Sequence, residues 1–407
     1  MRDAVIATSQ GLAKGDIEVH VKSSCWQTHR HHQDSTYNRV ILHVVMWRDS
    51  EVTTNLQNGG KIPILALHKY VVNPASPWTI IQEPPALFNL PCHQSKEHLP
   101  TRVIARFLDC AGEERFSAKA AQFQADLTQE ETGQSLYKGI MIALGYSKNK
   151  LPFLELARRV PLQILESLTK SKTADEECLA QQQAWLLGIA GLLPSQRPNW
   201  HQKNKIDGEC IEKLEQLWIS AHQTEAMSEN DWHLFKVRPN NSPVRRIVAM
   251  SYLTLRYKER GIFAELVSKI REATVSEGHR GLEESLLIPA KGYWASHFDF
   301  GSASRLRLPT LLGRSRAAEI IVNVLLPFTF AWGKLYAQQE LSQKAFELYG
   351  HYPKLAVNTV EKHMLKQLGL SGSLIYSARR QQGLLHIYKK LCSQGKCPSC
   401  LLGEHGT

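Results

Sequence analysis

The sequence predicts an α+β chain in three parts: an N-terminal α/β sheet domain over residues 1–100, a large all-α domain over 101–390, and a short Cys-rich tail over 391–407. Three observations carry this. β-branched residues crowd the first hundred positions. From about residue 100 the apolar positions recur three and four apart. Three of the eight cysteines fall between 392 and 400.

AVIATS (4–9), DIEVHVKSS (16–24), RVILHVVMW (39–47) and KIPILALHKYV (61–71) read as strands. The short link at 10–15 makes the first two a hairpin, and WQTHRHHQDSTYN (26–38) leaves room for a short helix. RVILHVVMW is apolar on both faces, as a central strand covered on both sides would be. The Pro-rich stretch 73–92 reads as a connection between domains. Beyond it, amphipathic helices follow one another, from TRVIARFLDCAGEERFSAKAAQFQADL to SARRQQGLLHIYKKL, without strand-like runs or an internal repeat. The longest apolar run, IIVNVLLPFTFAW (320–332), is too short to span a bilayer, carries Asn323 and Pro327, and reads as a buried helix.

Hydrophobic content of 43% and charged content of 21% are ordinary for a soluble globular protein. No basic start leads into a sustained apolar stretch, so no signal peptide is expected; the expected compartment is the cytoplasm, with no membrane partner. The other five cysteines are scattered, which suits a reducing compartment. A net charge of +11 favours anionic partners, DNA or RNA among them. HExxH, GxSxG, P-loop and GxGxxG contexts are missing, which argues against the enzyme classes built on them.

In GDIEVHVKSSCW (15–26), Glu18, His20 and Lys22 alternate with Ile17, Val19 and Val21, so the three polar heads share one face of a strand. His29, His31, His32 and Asp34 follow closely. A carboxylate with imidazoles can hold a divalent ion, and a lysine can orient the attacking water. The competing reading is a half-exposed hairpin whose outer face is simply polar. His43, inside VILHVV, reads as a hydrogen-bonded core histidine rather than a ligand.

Cys392, Cys397 and Cys400 have the CxxxxCxxC spacing that wraps one zinc ion or iron-sulphur cluster. His405 is the nearest fourth ligand; His386, Cys25 and Cys92 are alternatives. In the helical domain, Arg238, Arg245 and Arg246 and then Arg305, Arg307, Arg314 and Arg316 cluster around loops entering helices. Arginine forks there suit phosphates; the alternative is capping and pairing with nearby glutamates. Aromatic residues are sparse in both segments, so no base-stacking platform is expected.

GDIEVHVKSSCWQTHRHHQDSTYNRVILHVV, LGYSKNKLPFLELARRVP, WLLGIAGLLP, VRPNNSPVRRIV, IIVNVLLPF and the Cys-rich end together resemble a bacterial family known as a domain of unknown function, over nearly the whole chain. Members of that family carry Asp where this chain has Cys25. They also carry a GPDF-like segment just ahead of the stretch matching Arg2, Asp3 and Ala4. The resemblance therefore implies a late start codon or truncated gene model, with an upstream helix and strand missing.

The order strand, turn, strand with E-x-[KH], helix, strand is in turn similar to the core of PD-(D/E)xK nucleases. That resemblance implies Mg²⁺ or Mn²⁺ at Glu18, His20 in the usual lysine position and Lys22 as a substitute, with the aspartate ligand in the missing segment because Asp3 falls too late. A four-cysteine iron-sulphur staple in some of those nucleases parallels the tail. What it implies is a metal-dependent nuclease-like protein acting on phosphodiesters, with nucleic acid on the helical domain, inactive or impaired in this 407-residue form. Two alternatives stand beside it: a non-catalytic protein that binds nucleic acid or an acidic partner through its arginines, and a histidine-rich metal site hydrolysing another substrate.

Overall fold

Twelve residues of extended chain form the backbone of the N-terminal unit. β2 (Gly11–Lys22) pairs antiparallel with β1 (Ala4–Thr8) on one edge and parallel with β3 (Val40–Trp47) on the other. β6 (Ile64–Ala66) adds to β3 in parallel, giving the order β1-β2-β3-β6. β4 (Thr54–Asn55) and β5 (Lys61–Ile62) make a separate antiparallel ribbon. At Gly15 a Cβ would meet Ile41 Cγ2 at 2.4 Å and the Arg39 carbonyl at 2.6 Å, so only glycine lets β2 pass this close to the entry of β3.

The computed structural model describes residues 4–8, 11–50, 52–67, 92, 99–146, 148–169, 174–197, 208–221, 225–234, 237–304 and 307–402. It resolves into two units, Met1–Ala86 and Leu87–Thr407.

In the first unit the sheet is turned opposite to the usual polarity. Glu18 stands opposite His43 and His20 opposite Val45, and His43 and Val45 are fully buried. Val19 and Val21, on the other face, are 56% and 65% exposed, and Met46 beside Val21 is 39% exposed. β3 is thus central in the sheet but not covered on both sides among the described residues. The reason lies in the connection. Residues 25–37 form a short helix (Cys25–Thr28) and two 3₁₀ turns, and they lay Trp26, His31 and Tyr37 over the polar row rather than the valine row.

The second unit is helical, with a core through Leu136, Ile140, Leu156, Leu186, Ile247, Leu325 and Phe328. Its longest helix, Thr101–Leu127, packs along Ala378–Lys390. Short strands occur here despite the helical period: Ile288–Pro289 pairs with Thr310–Leu312, and His297–Asp299 with Ser302–Ala303. Strands of two or three residues are too short to register as alternation.

The apolar run expected as a buried helix lies within a longer one. Among the described residues, Arg314–Leu335 is long and apolar enough by composition to cross a membrane, and 67% of its apolar window is buried. Pro327 has no N–H to return to the Asn323 carbonyl. The ladder shifts just upstream, where Ile321–Leu325 forms a π turn closed by the Leu326 N–H on the Ile321 carbonyl.

Candidate functional site

The inward row of β2 meets three histidines. His20 Nε2 lies 3.3 Å from His29 Nδ1, 3.3 Å from His31 Nε2 and 3.7 Å from Glu18 Oε1. The three imidazole nitrogens all lie within 4.8 Å of one another. A tetrahedral metal with bonds of about 2.0–2.1 Å places neighbouring ligand nitrogens about 3.3–3.4 Å apart. The cluster therefore already has ligand spacing.

Local backbone strain sets this up. Between His29 and His31, Arg30 takes a left-handed conformation (φ 58°), which ordinary side chains rarely adopt. The reversal returns both flanking rings to the same side of the chain, a cost of order 1–3 kcal/mol that the packing must outweigh. Tyr37 fixes one ring from behind, stacking on His31 at 3.9 Å between centroids.

A hydrogen-bonded relay fixes the His20 ring. His20 Nδ1 meets His43 Nε2 at 2.9 Å, and His43 Nδ1 meets Thr54 Oγ1 at 3.0 Å. Burial holds His43 down to about 4, with the His20 ring adding to the fall and Glu18 opposing it. His43 is thus neutral at physiological pH. If His20 offers Nε2 to a cation, its Nδ1–H donates to His43 Nε2, and His43 Nδ1–H donates on to Thr54.

Of the predicted catalytic residues, the structure brings Glu18 and His20 together and leaves Lys22 exposed at the end of β2. Asp34 caps the next turn, accepting from the Thr36 N–H and hydroxyl, and stays outside the cluster. His43 is a hydrogen-bonded core histidine, as its apolar setting suggested. Asp3 lies outside the described residues. His29 and His31 complete the site; their neighbourhood to β2 was legible, but not the reversal at Arg30 that aims them.

The predicted phosphate-binding arginines separate. Arg245 is fully buried, and its guanidinium donates to the carbonyls of Trp294, His297 and Thr310 at 2.5, 2.6 and 2.8 Å. Arg246, also buried, donates to the Leu311 carbonyl and to Asn241. Both arginines tie the segment around 294–311 to the helix Pro243–Arg256, and neither presents its charge to a surface phosphate. Arg238 and Arg307 are exposed, and Arg305 lies outside the described residues. Arg314 and Arg316 pair with Glu283 and Glu319.

A concentration of positive charge that the sequence did not reveal lies elsewhere in the helical unit. A cavity of about 670 Å³ is lined by Arg115, Lys119, Lys150, Arg316 and Lys389 among its seven basic side chains, against two acids, Asp126 and Glu319. Burial pushes the Lys119 ammonium well below its usual range, and Arg115, Lys150 and Lys389 push it further against Glu319. Lys389 is lowered by burial and by the same two neighbours, Arg115 and Lys150. Arg316 lies over the Tyr146 ring at 3.1 Å, and Tyr146 is held left-handed at φ 54°. Cations crowded into one concavity favour an anion among them. They come from helices distant in sequence, so no run of basic residues announces them.

At the tail, Cys392 and Cys397 open two 3₁₀ turns joined through Gly395, which is left-handed at φ 66°, and Cys400 follows. Cys400 and Cys92 are buried in one apolar cluster, with Cys392 packed against it. Gln367 Nε2 donates to Cys92 Sγ at 3.2 Å and lies 3.9 Å from Cys392 Sγ. Burial pushes the Cys392 thiol up to about 11, and Cys400, Cys92 and Cys397 add to the rise. His386 is drawn elsewhere, 3.3 Å from a Glu114 oxygen. His405 lies outside the described residues.

No curated protein and no solved structure compared with the chain matches it. A family model does, from residue 1 to 356, ending ahead of the cysteine tail. The chain belongs to that family, described as "Protein of unknown function (DUF2851)".

Proposed function

We propose that the N-terminal unit binds a divalent metal ion at Glu18, His20, His29 and His31 and acts as a nuclease-like hydrolase of phosphodiesters. The observation that carries this reading is the convergence of three imidazole nitrogens within 4.8 Å of one another on the covered face of β2, with a Glu18 oxygen 3.7 Å from the His20 one. The topology supports it too: a hairpin whose second strand carries Glu18 and His20, followed by a short helix and a parallel strand, resembles the PD-(D/E)xK core.

Three imidazoles and one carboxylate suit Mn²⁺ or Zn²⁺. They do not fit Mg²⁺, which takes oxygen ligands and keeps several waters. Glu18, His20, His29 and His31 would hold such an ion, which would supply Lewis-acid polarisation of a phosphoryl oxygen and a more acidic water. The chain's own residues do the positioning. His43 and Thr54 fix the His20 tautomer, Tyr37 braces His31, and Trp26, anchored by its indole N–H on the Asn55 carbonyl at 3.0 Å, closes the inner wall. The phosphate-bearing class of substrate is supported by the net charge of +11 and by the basic cavity of the helical unit.

The test incubates the full chain with Mn²⁺ or Zn²⁺ and single- and double-stranded DNA and RNA. The resemblance to the nuclease core implied impaired activity for want of an aspartate ligand. With His29 and His31 beside His20 and Glu18 in its place, metal-dependent strand cleavage is expected, reduced at least about tenfold in folded Glu18→Gln and His29→Ala variants. A metal-loaded wild-type protein that leaves every substrate intact would overturn the proposal. The basic cavity favours a second reading, backbone binding without cleavage. That reading predicts affinity that falls steeply with salt and survives Glu18→Gln.

A further inference from the structure

We propose that Cys92, Cys392, Cys397 and Cys400 form one four-thiolate site for a thiophilic metal centre, either a zinc ion or an iron-sulphur cluster. The spacing of the tail supplies three sulphurs, and the fold supplies the fourth from about 300 residues earlier in the chain. Cys92 is buried beside Cys400 in one apolar cluster, and one amide nitrogen of Gln367 reaches towards the sulphurs of both Cys92 and Cys392.

Ordinary apolar packing accounts for any one of these thiols. It does not account for Cys92, Cys392 and Cys400 sharing one apolar cluster with Cys397 near enough to act on the Cys392 thiol. An amide N–H directed at sulphur is the kind of outer hydrogen bond that supports metal-bound thiolates. The left-handed Gly395 turns the chain between Cys392 and Cys397, so that two successive 3₁₀ turns each present a cysteine at their first residue. Among the described residues, the tail after the helix Ala378–Lys390 is built of such turns and buries little beyond Cys400 and Leu402. A metal there would tie the chain end to the segment leading into Thr101–Leu127, closing a very long loop. Four sulphurs satisfy either a tetrahedral zinc ion or a cluster, so the chemistry is shared and the test separates the two.

The full chain carrying His29→Ala, which removes a ligand of the β2 site, is purified both in air and without oxygen, and zinc, iron and acid-labile sulphide are measured. About one zinc per chain is the zinc outcome; iron with matching sulphide and visible charge-transfer absorption is the cluster outcome. Either supports the site, provided the metal falls at least about tenfold in Cys92→Ser and Cys392→Ser and stays in Cys110→Ser, whose cysteine is exposed. His29→Ala should keep the cysteine-held metal, so this site stands or falls separately from the one at β2. If the cysteine variants do not fold, the protein with its cysteines intact still decides, by alkylation and mass spectrometry. All four cysteines should resist reagent until the metal is stripped. Metal-free protein from both preparations, full metal content in Cys92→Ser, or alkylation of Cys92 while the metal remains would each overturn the proposal.

Discussion

His20 and His43 share a hydrogen bond of 2.9 Å between Nδ1 of the first and Nε2 of the second, beneath the point where His29 and His31 converge. His43 is not one of the three histidines grouped at ligand spacing; it hydrogen-bonds the ring of one that is. Replacing it with leucine keeps an apolar filler in the core but frees His20 to rotate. Affinity for Mn²⁺ or Zn²⁺ at the histidine cluster should fall about 10–100-fold, as read by calorimetric titration of the folded variant. Unchanged affinity would mean that His20 is held by packing alone.

The basic cavity makes a prediction about salt. If it receives phosphates, Lys150→Ala and Arg158→Ala, both on its lining, should each weaken nucleic-acid binding to a similar degree across sequences. Each should also lower the slope of log affinity against log salt by about one. Binding isotherms at several salt concentrations measure both. A slope equal to that of the wild type would place the contact elsewhere.

Arg245 should matter for folding rather than for binding. Arg245→Met leaves the carbonyls of Trp294, His297 and Thr310 without their donor in a buried site. The expected loss is on the order of 3 kcal/mol or more, seen as a lower urea midpoint. An exposed arginine such as Arg307, changed in the same way, should shift the midpoint by about 0.5 kcal/mol or less.

Acid should act through Asp49. Hydrogen bonds from the Ser24 N–H and hydroxyl, and from the Ser23 hydroxyl, hold its carboxyl down to about 2, below its value in the unfolded chain. A depressed carboxylate contributes stability that is present in full above its unfolded value and is lost as pH falls through its folded one. Asp49→Ala should therefore be less stable than wild type at pH 6. The gap should close between about pH 4 and pH 2, measured by denaturant unfolding at each pH. A gap independent of pH would assign the difference to packing.

Much of the layout was legible in the sequence because it depends on local periodicity. Alternation marked β2 and β3, the 3.6-residue period marked the helical unit, and the Gly and Pro between the tail's cysteines suited the short turns found there. The candidate site was legible only in part. Glu18 and His20 could be placed on one face because a strand alternates its side chains. That this face is the covered one could not be read, since a polar row beside a valine row usually points outward. The connection at 25–37 reversed that expectation by carrying Trp26, His31 and Tyr37 over Glu18 and His20. Lys22 has the right parity but lies at the end of the strand, beyond the covered zone.

By itself the sequence marked the longer strands, most of the helices and the residue types able to bind a ligand, because those properties depend on neighbours a few positions away. Only the tertiary structure decided which of them meet. His29 and His31 reach His20 through one left-handed residue; Cys92 reaches Cys392 and Cys400 across the length of the helical unit; Arg245 and Arg246 turn inward to main-chain carbonyls. Each of these outcomes depends on contacts between segments far apart in the chain, and neither periodicity nor spacing records such contacts.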